Sequence, residues 1–223
     1  MGVIRPQISM SDQKEWFRRS TWTSRDRDEF NTRLLRSRGD ARKAQYLRIQ
    51  AHHLHSSGDA RLLQPALELL DRLIGEYPDP FQLGLAHSQR AEVLVDLGQP
   101  AAALASYEAA LAARRAFPQV SDDAYLAYVE LVLTLQLHER YAAAQEILDE
   151  FPVGPFPIQV FRDAAARALL AFARGEGSVA RDWARTALDA ADRTESPFRY
   201  HRRLGLVTGA DAQVSRRLEE LAK

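Results

Sequence analysis

The chain has 223 residues, of which 27% are charged and 46% hydrophobic, with 30 basic residues balancing 30 acidic ones. That length can bury a sizeable core, and the neutral balance argues against a dedicated nucleic-acid binder. The absence of cysteine excludes disulfides, thiolate metal sites and a cysteine nucleophile.

The charge is uneven: residues 1–61 carry 13 basic against 7 acidic side chains, 62–192 carry 10 against 19, and 193–223 carry 7 against 4. Basic ends and an acidic middle leave room for pairing between two copies. No apolar run reaches signal-peptide or membrane-span length, so a soluble cytoplasmic protein without a membrane partner is expected. Arginine outnumbers lysine 27 to 3 and alanine is abundant, a composition expected of a GC-rich, bacterial coding sequence.

Residues 1–15 are polar and aperiodic and read as a mobile arm. The segment 16–43 reads as an N-terminal cap. In it Trp16, Phe17 and Trp22 precede a helix opened by Thr23-Ser24-Arg25-Asp26, a capping-box spacing, with Phe30, Leu34 and Leu35 as its stripe and Gly39 as its end. The aromatics are expected to seal the end of a core; a partner site using the tryptophans is the other reading.

From residue 44 helices come in pairs. The first pair runs from Ala44 to about Tyr77, with Ala51 and Ala66 at close approaches and Leu47, Leu54, Leu70 and Leu73 as the seam; EYPDPFQLG then reads as a linker. The second, Ala86 to Pro118, breaks at Gly98-Gln99-Pro100. Gly98 suits a left-handed helix stop and Pro100 a first turn. Ala91, Ala103 and Ala110 mark its close crossing and Leu94, Leu104, Tyr107 and Leu111 its apolar seam. The third, Asp122 to Pro152, turns at His138-Glu139-Arg140 and reuses Tyr141, Ala144, Leu148 and Pro152. The fourth, Pro157 to Arg193, turns at Gly175 between two alanine-rich helices. Pro197 then opens FRYHRRLGLV, which reads as half of a fifth pair. Residues 211–223 read as a C-terminal capping helix, with Asp211 as its cap and Val214, Leu218 and Leu221 at i, i+4, i+7.

The order of small residues, Gly turn, aromatic and closing proline resembles the tetratricopeptide repeat. Ala103, Tyr107 and Pro118 match its second half, while His87, Arg90, Ala91 and Leu94 stand at the Trp, Leu, Gly and Tyr places of its first. Ala66, Ala103, Ala144 and Ala180 are 37, 41 and 36 residues apart, longer than the usual period of about 34. The resemblance covers about two-thirds of the chain, in four degenerate copies across roughly 44–193, and a half copy carries the hairpin region to 210. It implies an all-α, right-handed superhelical solenoid of helical hairpins with a capping helix at each end.

It also implies a function: a protein-interaction scaffold or adaptor that holds a partner peptide or helix in the groove lined by the first helices. The residues so placed are Arg48, His52 and His55, then Ser88 and Glu92, then Val129, Leu133 and Gln136, then Ala165, Leu169 and Phe172. Arg48 and His52 stand where chaperone-tail-binding members carry a Lys/Asn set, and the Asn is missing.

Chemical signals elsewhere are thin, and neither catalytic residues, a cofactor nor a metal is expected. His52 and His55 share a helix face, as two ligands of one metal would, but no carboxylate completes the set. Gly175-Glu176-Gly177-Ser178-Val179-Ala180 matches a dinucleotide fingerprint in letters, yet a helix rather than a strand precedes it. Asp122-Asp123 reads as a helix cap and Asp149-Glu150 as solvent-facing. The basic run with Arg33, Arg36, Arg38, Arg42 and Lys43 leaves a nucleic-acid-associated regulator as an alternative, and an enzyme is the other, which would need a small-molecule-sized pocket on the groove with His52 or His55 as its titrating group.

Overall fold

The computed structural model describes residues 15–209 and 212–223. The expected N-terminal arm up to residue 14, and Asp211 as a helix cap, lie outside the described residues. Within the described residues the fold is all-α, with ten α-helices, two short 3-10 turns and no strand. The chain divides into two compact units, one ending at Asp122 and the other spanning Asp123–Lys223.

The first unit opens with α1, Ser24–Arg36. Its N-terminus is the expected capping box: Thr23 Oγ1 accepts from the Asp26 N–H, and the Asp26 carboxylate accepts from the Thr23 N–H. Two of the helix's orphan donors are satisfied this way. Trp16 and Trp22 pack on Phe30, with centroids 5.1 and 5.3 Å away, and Phe17 stacks on Tyr46 at 4.6 Å. The buried Gln50 side chain locks this aromatic segment, accepting from the Arg19 N–H and donating to the Arg19 carbonyl.

Two hairpins follow: α2 (Asp40–His55) with α3 (Leu63–Glu76), and α4 (Pro80–Asp96) with α5 (Pro100–Ala116). The extra residues between Gly58 and Pro65 form a 3-10 turn, Ala60–Leu62, begun by Asp59 accepting from the Arg61 N–H. α4 begins inside the segment read as a linker, because Pro80 suits its first position and Asp79 caps the Phe81 N–H. At the α4/α5 crossing Ala91, Ala103, Ala110, Leu94, Leu104, Tyr107 and Leu111 are all buried, whereas Ala112 is exposed. The expected register therefore holds here.

The second unit contains α6 (Ala124–Thr134), a 3-10 turn (His138–Arg140), α7 (Tyr141–Glu150), α8 (Pro157–Ala173), α9 (Gly177–Ala191) and α10 (Ala212–Leu221). Alanines at 164, 168, 184, 187 and 190 are buried with Phe161 and Leu218 in its core. Small side chains on both helices let α8 and α9 pack along their length.

Three helix ends share one geometry. Gly98, Gln136 and Gly175 have positive φ of 69°, 52° and 77°. The next N–H in each case bonds to the carbonyl five residues back: Gln99 to Leu94, Leu137 to Val132, and Glu176 to Ala171. This is a Schellman end. In the third pair it falls at Gln136, not at the expected Glu139, so α6 stops earlier than its apolar run suggests.

The helix read at 197–207 as half of a fifth pair does not form. That segment is a string of turns, closed by the Ser196 N–H to the Arg202 carbonyl, His201 to Phe198, and Leu204 to His201. Phe198 stacks on Phe156 at 5.1 Å, and the Gly205 carbonyl accepts from the Ile158 N–H. Gly205 has φ 71°, and a Cβ there would sit 2.3 Å from the Phe156 ring. Docking on the start of α8 has overridden local helix propensity.

Candidate interaction faces

In the first unit the exposed edges of α2 and α4 are joined side chain to side chain. Arg48 Nε donates to Gln82 Oε1 at 2.7 Å, and His55 Nε2 lies 2.7 Å from Asp96 Oδ2. Arg48 is half-buried, and among the described residues no carboxylate lies within ion-pair distance of it. Burial holds its guanidinium below its ordinary pKa. Burial, followed by the nearby His53, Arg48 and His55, also lowers the His52 imidazole. His52 is exposed one turn from Arg48, and Glu92 is exposed on α4, whereas Ser88 is buried. This gives a polar face with Arg48 and His52 at its centre.

In the second unit the predicted residues separate. Val129 has no exposed surface and Ala165 is buried, so both belong to the core. Leu133 and Leu169, with Val214 of α10, line two open spaces of about 670 and 420 Å³. Phe172 keeps 46% of its surface, with the Arg217 guanidinium 4.5 Å above its ring. Gln136 is exposed at the rim. α10 thus lies on part of the apolar face, held by Leu218, and leaves the rest uncovered.

Glu130 and Arg162 border this second face, and a separate cluster around Arg167 ties α8 to α7 and α9. Arg162 forms a bidentate pair with Glu130, both bonds 2.6 Å. Arg167 donates to Asp163, Asp149 and the Leu148 carbonyl and stacks 5.1 Å from the Trp183 centroid. Asp149 and Glu150 are exposed, as the solvent-facing reading expects, and the bond from Arg167 holds the Asp149 carboxyl below its ordinary value. Asp123 accepts from Gln159 Nε2 at 2.7 Å and makes no side-chain cap for α6, contrary to the cap reading.

The other sequence candidates resolve simply. His55 turns to Asp96 and His52 to Ser56, and the described residues hold no cluster of three potential metal ligands. The glycine-rich match at 175–180 is the Schellman turn between α8 and α9. In the basic N-terminal run Arg25 pairs with Glu29, while Lys43 pairs with Asp40 and covers the Tyr77 ring. No described helix is long and apolar enough to cross a membrane. No protein-family model, curated protein or solved structure matches the chain.

Proposed function

We propose that this chain is a cytoplasmic adaptor of tetratricopeptide-like hairpins that binds a partner peptide or helix on the faces of its first helices. The observation that carries this reading is the α6/α8 face. Leu133, Leu169 and Phe172 remain accessible although the chain's own amphipathic α10 lies beside them. Apolar surface left in water costs about 25 cal/mol per Å², so a second amphipathic helix or an extended apolar segment gains by covering it. The placement of α10 supports a helix as the natural shape for this surface. The Schellman ends and small-residue crossings support the repeat assignment. On the first unit, Arg48 is suited to a polar or anionic group of a partner, because among the described residues no carboxylate lies within ion-pair distance of it.

The test is affinity capture from native lysate with the wild-type chain and with Leu133→Ala/Phe172→Ala as bait, read by quantitative mass spectrometry. A protein recovered with the wild type and lost with the folded double variant supports the face. Recovery of the same proteins by both rejects it.

A further inference from the structure

The turn segment at 198–204 is a surface of another kind. Five successive residues, Arg199, Tyr200, His201, Arg202 and Arg203, are exposed, and Tyr200 keeps 86% of its surface. Phe198 and Leu204 at its two ends are 46% and 52% exposed. An irregular arginine-rich loop is usually mobile; this one is built in. Phe156 stacks on Phe198, the Gly205 carbonyl takes the Ile158 N–H, and Val207 packs on the α8/α9 core. The left-handed Gly205 lies so close to Phe156 that no side chain fits. The ordering entropy of the loop is thus met on folding and not again on binding.

The charge of this surface is one-sided. Against three guanidiniums one acid among the described residues, Glu195, lies within ion-pair distance, 3.6 Å from Arg202, although both side chains are about three-quarters exposed. A carboxylate is therefore already drawn to the loop from solvent. Tyrosine and arginine are the side chains that most often dominate protein interfaces, the ring giving area at low entropy cost and the guanidinium a fork for carboxylates.

We propose that the 198–204 loop is a docking site for an acidic protein segment that also carries apolar side chains. Its carboxylates engage Arg199, Arg202 and Arg203, and its apolar side chains cover Tyr200 and Leu204. Single-stranded nucleic acid fits less well. It would use Tyr200 for stacking but leave Leu204 in water. The site is independent of the Leu133/Phe172 face.

The test uses the whole chain and a fluorescein-labelled peptide of three Glu-Leu-Asp-Phe repeats, followed by fluorescence anisotropy. Its controls are the neutral Gln-Leu-Asn-Phe isostere and a labelled oligothymidylate. The acidic peptide binds and the isostere binds about tenfold more weakly. Tyr200→Ala, and separately Arg199→Gln/Arg202→Gln/Arg203→Gln, each weaken the acidic peptide about tenfold with unchanged circular dichroism. Glu195→Gln strengthens it by about threefold, because the internal competitor for Arg202 is gone. Leu133→Ala/Phe172→Ala leaves it unchanged, which separates failure of this site from failure of the groove. The proposal is overturned if the acidic peptide does not bind, if the isostere binds equally, or if the loop variants bind like wild type. Tighter binding of oligothymidylate through the same residues overturns it in favour of nucleic acid.

Discussion

Gly205→Ala is the sharpest probe of how the second unit is closed. Two costs fall on it. The first is the left-handed backbone, φ 71°, worth about 1–2 kcal/mol for a residue with a Cβ. The second is steric: the new Cβ would lie 2.3 Å from Cδ1 and 2.6 Å from Cβ of Phe156, where carbon contacts are optimal near about 3.5–4.0 Å. Rotating the ring does not relieve a clash with Phe156 Cβ, so the loop must lift. Lifting forfeits the Phe156–Phe198 stack, about 0.5–1.5 kcal/mol, and the bond from the Ile158 N–H, of similar size. The expected loss is about 2–5 kcal/mol. Gly175→Ala, in the same unit at φ 77° with nothing within 4 Å of its added Cβ, bears the backbone cost alone. Urea midpoints give the stabilities, and limited trypsinolysis at Arg199, Arg202 and Arg203 reports lifting of the loop. Gly205→Ala should be cleaved much faster at these arginines, and Gly175→Ala should not. Equal destabilisation with equal cleavage would refute the role given to Phe156.

Three further outcomes follow from particular contacts. Ala103→Leu, at a fully buried crossing, should lose roughly 1–3 kcal/mol by overpacking, while Ala112→Leu on the exposed side should change the melting temperature little. Gln136→Gly should stabilise the second unit by up to about 1 kcal/mol in chemical denaturation, since relief of left-handed strain outweighs the added freedom of the unfolded chain. Burial, followed by the nearby Arg90, holds the His87 imidazole below its ordinary value, and its Nδ1 is buried without a partner. The unfolded chain therefore binds a proton first as pH falls. Stability should be full above the unfolded pKa of about 6.5 and decline as pH drops toward the lower folded value. His87→Gln should flatten that decline in thermal melts between pH 5 and 7; an unchanged slope would show that His87 is not its source.

Much of the helical order was legible because local signals agreed with packing. Thr23 and Asp26 sit at capping-box spacing, Gly98 and Pro100 bracket a turn, and the alanines at 103, 110, 184 and 187 lie where helices cross. The failures were tertiary in origin. Gln136 carries no glycine signature, yet it takes the left-handed position because the Leu137 N–H reaches Val132. The 197–207 segment has helix-compatible residues, and contacts with Phe156 and Ile158, far back in the chain, hold it in turns. The candidate faces were half legible. On α2 the buried Ala44, Leu47, Ala51 and Leu54 share one stripe, which leaves Arg48, His52 and His55 off the core. On α6, AYLAYVELVLT is apolar on nearly every side, and periodicity could not separate buried Val129 from accessible Leu133.

Protein binding on the accessible part of the α6/α8 face, as proposed, is tested most directly by calorimetric titration of the captured partner, purified, into the wild-type chain and into Leu133→Ala/Phe172→Ala. Binding should weaken by about 2–4 kcal/mol, roughly 30- to 1,000-fold in Kd, with the helical circular dichroism retained. An unchanged Kd in the folded double variant would contradict it, and loss of the fold would assign Leu133 and Phe172 to the core.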